Sequence, residues 1–262
     1  MATLAAMSLA APILLSLDTA TERIHAALSV GEAAHVWTAE GGARASASLL
    51  PGLTALLTQA GLVWADVQAL GLGCGPGAFT GLRTACSVVQ GLALGLDKPV
   101  LVLDTLMAVA EDARLRAPED WSAGDTLWVL QDARMDELYV GAFAWTGRRW
   151  QVTQVPQLWS LGEPAQRWVH GDPGAAAPSD PVRLAGSALL AYPERFAALL
   201  AQGAWTDALA VPSGLALAAL AQQAWADGAQ VDAALALPRY VRDKVAQTTA
   251  ERAAQRGATA AA

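Results

Sequence analysis

Apolar positions along the chain fall into two kinds of run. Short, mainly apolar runs at 13–17, 67–72, 100–103 and 127–130 predict buried strands. Runs at 24–30 and 138–143 follow the first and last of these after short polar turns, and predict strands that return as hairpins. Shorter stretches at 37–39, 152–158 and 168–170 are further strand candidates. Apolar recurrence at three and four residues predicts helices over 44–60, 83–96, 106–116, 189–201 and 215–225. The first carries Leu49, Leu53, Leu56, Leu57 and Ala60 on one side and ends at Gly61; Pro51 either kinks it or marks its start. Asp104 stands where an N-cap is needed for the helix at 106–116. Residues 117–125, rich in proline and charge, read as a domain boundary, 171–180 as a loop and 238–243 as an extended segment.

The densest punctuation lies between the strand ending at Leu72 and the helix starting at Arg83. Gly71, Gly73, Gly75, Gly77 and Gly81 crowd together there. Such a loop lets backbone approach closely and leaves N–H groups at a helix start, which suits a phosphate or a tightly packed neighbour. The common nucleotide fingerprints are absent. The dinucleotide pattern lacks its third glycine, with Thr80 or Ala78 in that place, and the P-loop lacks its lysine, since Leu82 and Arg83 follow Gly81.

The two hairpins resemble each other. Each first strand runs into an acidic turn, with Asp18, Thr19 and Thr21 in one copy and Asp132 and Arg134 in the other. Two halves that begin alike suggest duplicated α/β lobes at 1–117 and 118–247, followed by a low-complexity tail, 248–262, expected to be disordered. Chance likeness of two aspartate turns is the plainer alternative.

Helical spacing also marks two ridges of small side chains. After the glycine loop, Ala85, Val88, Val89 and Leu92 make a bulky face, while Thr84, Ser87, Gly91 and Gly95 make a small one. The preceding helix repeats this with Ser48, Gly52 and Ala55. Small ridges let helices approach closely, either each other within one lobe or a partner protein. A glycine inside a helix costs about 1 kcal/mol relative to alanine, so Gly91 calls for a steric reason.

Composition narrows the chemistry. The 262 residues are long enough for one large domain or two small ones, and 54% of them are apolar, much of that alanine. There is no apolar run of about 18 residues, so no membrane span is expected. Residues 1–12 lack Lys and Arg and run into a strand, against a signal peptide. Cys74 and Cys86 form no C-x-x-C pair and read as reduced thiols of a cytoplasmic protein; Cys74 is either a nucleophile or a small filler of a tight place. His25, His35 and His170 are the only histidines and form no H-E-x-x-H or H-x-x-x-H, so no metal is expected; G-x-S-x-G is absent too. Most of the ten tryptophans follow residue 120 and read as core and edge filling.

Four stretches together resemble the TsaB family, also called YeaZ: LSLDTATERIHAALSV, GLGCGPGAFTGLRTACSVVQGLALGL, LQDARMDELYVGAF and LPRYVRDKVAQTTAER. The likeness runs from about Ile13 to Glu251 and is most specific from Gly75 to Arg83. It implies an ASKHA-type α/β fold of two duplicated lobes, of the actin and sugar-kinase kind. It implies a non-catalytic, activating subunit of the complex that makes threonylcarbamoyladenosine on tRNA next to the anticodon. The implied partners are TsaD, which carries the metal and transfers the group, and TsaE, an ATPase, with tRNA reached through the complex. Pairing of the isolated chain with itself is left open. No cofactor of its own is implied, and ATP or ADP enters only within the complex. The first-lobe helices become the partner face, carrying Ser48, Gly52, Ala55, Thr84, Ser87, Gly91 and Gly95. Asp18, Thr19, Thr21, Gly75, Gly77, Thr80, Gly81, Arg83, Asp132 and Arg134 become vestiges of phosphate-type loops. No residue is assigned catalysis. Residues 171–174 are a weak adenosine-loop candidate, and Arg44, Ala45 and Ser46 stand where many relatives carry a histidine, so no role can rest on one here. The alternative is an ATP-binding phosphotransferase of the ASKHA class, with Asp18 or Asp132 as its carboxylate. The metallopeptidase label of the wider group finds no histidine pair to support it.

The formal net charge is −7, and affinity for nucleic acid comes largely from phosphate neutralisation by Lys and Arg. The isolated chain is therefore predicted to bind tRNA weakly at physiological salt. Filter binding across a salt series checks this; tight binding with a steep salt slope contradicts it.

Overall fold

The structure is a computed structural model and describes residues 11–42, 45–168 and 182–242. A first sheet takes β1 (Ile13–Asp18), β2 (Arg23–Val30), β3 (Ala33–Glu40), β4 (Ala69–Gly73) and β5 (Val100–Leu103). β1 pairs antiparallel with β2 and β2 with β3, while β4 and β5 add in parallel beyond β1, giving the order β5-β4-β1-β2-β3. A second sheet takes β6 (Thr126–Asp132), β7 (Glu137–Trp145), β8 (Trp150–Ser160), β9 (Arg183–Ala185) and β10 (Trp205–Asp207). Its order is β10-β9-β6-β7-β8, with antiparallel and parallel pairings in the same places. The duplication expected from two aspartate hairpins is thus a duplication of whole sheets, as the ASKHA type requires. The central strands β1 and β4 are apolar almost throughout because both faces of the first sheet are covered.

Helices α1 (Ala45–Gln59) and α2 (Phe79–Leu96) cover one face of the first sheet, where Leu49, Leu53, Leu57, Ala85 and Val89 meet Leu15, Leu17 and Leu70. α3 (Thr105–Arg116) starts at Asp104, whose Oδ1 accepts the N–H groups of Leu106 and Met107 at 2.8 and 3.1 Å. Although it follows the first sheet, α3 turns Leu106, Val109 and Ala113 onto Leu127, Val129 and Phe143 of the second. Helices α4 (Glu163–Trp168), α5 (Ala188–Ala191) and α6 (Pro193–Ala201) lie beside the second sheet. α7 (Gly214–Ala226) then crosses back, packing Ala216, Leu217 and Leu220 on Leu14, Leu101 and Leu103 of the first sheet. β11 (Gln230–Val231) pairs with β5.

The lobes therefore partition differently from the expected 1–117 and 118–247. Residues 214–236 share a core with the first lobe, including Ala233 and Ala236. The physical reason is the apolar stripe of α7. It needs a sheet face, and α3 already occupies the inner face of the second sheet.

Smaller differences have local causes. The third strand is longer than 37–39, and Pro51 lies inside α1 rather than at its start. The helix expected over 189–201 breaks at Tyr192 because Pro193 opens a new one. Trp168 ends a helix instead of starting a strand. The tryptophans do fill core and edge: Trp121 meets Trp150 and Trp205 with ring centres 5.3 Å apart, and Trp128, Trp159 and Trp168 form a second group. The loop at 171–180 and the tail at 248–262 lie outside the described residues. Among the described residues no helix is long and apolar enough to cross a membrane.

Candidate functional site

The glycine loop is packed against the first hairpin. A Cβ on Gly81 would sit 1.9 Å from the Thr19 carbonyl oxygen, and one on Gly77 would sit 2.5 Å from Ala20. The Thr19 hydroxyl donates to the Gly81 carbonyl at 2.6 Å, and the Ala78 N–H donates to the Ala20 carbonyl at 2.7 Å. Gly75 has φ +96°, a conformation open to glycine. Of the two readings that five glycines allow, the tightly packed neighbour accounts for these contacts. Gly81 lies in the first turn of α2, which begins four residues before the predicted Arg83.

Asp18 ends β1 in full burial. Its Oδ1 accepts the Ala20 N–H at 2.7 Å and its Oδ2 accepts the Thr105 hydroxyl at 2.6 Å. Thr105 in turn accepts the Gly75 N–H at 2.9 Å. The carboxylate thus joins the hairpin, the glycine loop and α3. Burial pushes its pKa up to about 6, against the opposing hydrogen bond from Thr105. Thr21 bonds locally, its hydroxyl donating to the Arg23 carbonyl at 3.1 Å. Cys74 is buried beside this network, and burial together with the Asp104 charge pushes its thiol up to about 12. It stays protonated, as a filler does.

The second tip repeats the first and opens it outward. Asp132 Oδ1 accepts the Arg134 N–H at 2.8 Å, the same i to i+2 bond as at Asp18. It also accepts the Tyr192 hydroxyl at 3.0 Å. Arg134, Met135 and Asp136 all have φ near +60°, three successive left-handed residues. Arg134 is exposed and pairs with Asp132 of its own tip and Glu22 of the other. Thr80 is exposed, and Arg83 lies 3.8 Å over the Phe79 ring with its Nε donating to the Tyr240 hydroxyl at 3.2 Å. Arg239 and Arg242 are held by Asp104 and Glu137, so neither is an open basic patch; Lys244 lies outside the described residues. Asp104 and Arg239 also line a cavity of about 600 Å³ between the lobes, walled by Val155, Leu220 and Trp150. Among the described residues no three His, Cys, Asp or Glu side chains gather as ligands for one ion.

The two ridges fare differently. Gly52 is buried, and a Cβ there would sit 2.3 Å from the Trp37 ring of β3, so Gly52 is seated on its own sheet. This corrects its reading as a partner residue, and sequence reasoning missed it because Trp37 is fifteen positions away. Ser48 is half-buried and Ala55 exposed. On α2, Thr84 is half-buried, and Ser87, Gly91 and Gly95 are exposed; a Cβ on Gly91 or Gly95 meets nothing within 4 Å. No steric reason for Gly91 lies within this chain among the described residues.

Two sheets that share one five-strand order, the first extended by β11, and joined at paired aspartate hairpins, define an ASKHA-type protein. A family model described as "TsaD: tRNA N6-adenosine threonylcarbamoyltransferase" matches residues 40–258. A solved Pseudomonas aeruginosa protein described as similar to peptidase YeaZ is 32% identical, with TM-score 0.73 over 88% of this chain and 100% of that one. The chain belongs to the TsaB (YeaZ) family. The Escherichia coli K12 tRNA threonylcarbamoyladenosine biosynthesis protein TsaB is 31% identical over 153 residues, which is 55% of this chain and 63% of that protein. Its Haemophilus influenzae counterpart is 38% identical over 128 residues, 48% and 51% of the two chains. The matches thus span about half to under two thirds of these curated relatives.

Two predictions follow from the packing. Gly81→Ala should destabilise the protein by at least about 3 kcal/mol, whereas Gly91→Ala should stabilise it by about 0.5–1 kcal/mol. Denaturant melts of the two variants check both signs.

The second concerns Asp18. Its folded pKa lies above the unfolded value, so the proton binds the folded state more tightly. The ionised carboxyl therefore costs stability above pH 6, and that cost fades as pH falls towards 4. The stability of Asp18→Asn minus that of the natural chain should drop by about 2 kcal/mol between pH 7 and pH 4. A flat difference across that window contradicts the assignment.

Proposed function

We propose that this chain is a non-catalytic, activating subunit that pairs with a TsaD protein in making threonylcarbamoyladenosine on tRNA. The observation that carries the pairing is the outer face of α1 and α2. The 15 residues of α1 and 18 of α2 hold one charged side chain, Arg83. Exposed positions on these helices include Leu50, Ala55, Ser87, Gly91 and Leu94, the last 72% exposed. The hydroxyls of Thr54, Thr58 and Thr84 donate to carbonyls four residues back, at 2.8, 2.9 and 2.9 Å. Their hydrogen-bonding capacity is largely met within the helix, so covering them costs little desolvation. Depletion of charge is a mark of an interface core. In the family likeness, TsaD is the partner such a face receives, and TsaE joins the pair.

The lack of activity alone is supported by Asp18, whose two oxygens are engaged by Ala20 and Thr105 in full burial. The phosphotransfer alternative gains no such support. The chain alone is expected neither to hydrolyse ATP nor to modify tRNA, and to be required once TsaD, TsaE and the adenylate-forming enzyme are supplied. Product formation without it refutes the role.

Gly91→Leu and Ser87→Leu should each abolish the complex with TsaD and leave the monomer's thermal melt in place. Size-exclusion chromatography of each variant with the partner decides this. Complexes that persist in both variants place the interface elsewhere, and self-association of the unmodified chain that both variants lose assigns the same face to a homodimer.

A further inference from the structure

The chain after β11 crosses the mouth of the cleft between the lobes. It begins on the back of α2, where Gln90 Nε2 donates to the carbonyls of Ala233 and Ala236 at 3.0 and 3.2 Å, and Cys86 Sγ donates to the Ala236 carbonyl at 3.2 Å. The Arg239 N–H then donates to the Cys74 carbonyl at 2.7 Å, and its guanidinium pairs with Asp104 at the start of α3. Tyr240 lies with its ring centre 5.2 Å from that of Phe79 and accepts from Arg83. Arg242 reaches the other lobe: its guanidinium pairs with Glu137, donates to the Arg134 carbonyl at 3.2 Å and touches the Met135 sulfur at 3.7 Å.

Among the described residues two ionic links join the first lobe and its strap to the second hairpin. One is Arg134 with Glu22, whose side chains are 70% and 84% exposed. A pair in that much water contributes little. The other is Arg242 with Glu137, whose side chains are 11% and 35% exposed, reinforced by the bond to the Arg134 carbonyl. The latter sits in the drier place and holds the backbone of the left-handed tip as well as its side chain.

We propose that residues 236–242 form a strap that sets the spacing of the two hairpin tips, with Arg242 as its latch. α3, packed on the second sheet and joined to the first lobe through Asp18 and Thr105, is the hinge. The strap is anchored along the glycine loop and α2 by Cys74, Phe79, Arg83, Cys86 and Gln90. Among the described residues its far end bonds the tip at 134–137. Releasing Arg242 frees that tip and leaves both sheets intact.

The test uses the full chain and its Arg242→Ala variant. Arg23 and Asp136 are exposed, one near each tip, and Arg23→Cys with Asp136→Cys supplies a pair of spin labels. Cys74 and Cys86 are buried and do not compete for the label. Arg242→Ala should lengthen and broaden the distance distribution between the labels. Amide exchange over 133–138 should quicken about tenfold or more, with exchange in β1, β4 and β6 unchanged. Faster exchange with an unchanged distance means local fraying and overturns the proposal, as does no change in either. If Arg242→Ala does not fold, Glu137→Gln removes the same pair at constant shape and is held to the same outcomes.

Discussion

The carbonyl oxygen of Thr19 occupies the space that a side chain on residue 81 would need. That steric constraint fixes where α2 begins and how it leaves the sheet. With Gly81 pressed on Thr19, and Gly77 on Ala20, the helix starts flush against the first hairpin. Its bulky side then lies on β4 and its small side faces outward. The buried Asp18 locks the same corner from below, tying the hairpin to α3 through Thr105. Backbone packing and one buried acid thus orient the helix that presents the charge-poor face.

The two lobes share a plan and differ in how much of it is sealed. Both aspartates accept the backbone N–H two residues on. Around Asp18 the neighbouring glycines bring backbone close enough to exclude water. Around Asp132 the helix start is the short α5, whose Ser187 accepts the Asp132 N–H at 3.0 Å, and a tyrosine and an exposed arginine complete the covering. One hairpin therefore became structural core, while the other remained a surface tip held by side chains.

Much of this was legible in the sequence because it is local. β1, β2, β5 and α3 follow from apolar runs and the Asp104 cap, and the paired aspartates announced the repeated sheets. What was hidden depends on residues far apart. Phe79 to Leu82 reads as loop when Gly81 is counted as punctuation; only the Thr19 carbonyl shows why a glycine belongs in that helical turn. Gly52 looks like Ser48 and Ala55 until Trp37 is found over it. β9, β10 and β11 are three, three and two residues long, too short for any period. The destination of α7 is not written in its own stripe, which would suit either sheet.

That crossing of α7 bears on how such a chain can be divided. α3 belongs by sequence to the first half and covers the second sheet, and α7 does the reverse. Each half, cut at residue 117, would leave an inner sheet face bare and carry a helix with nothing to lie on. The halves arose alike but no longer stand as separable modules, so neither could be moved alone into another protein by recombination. Their cooperativity is a property of the exchanged helices, and the molecule should melt as one unit.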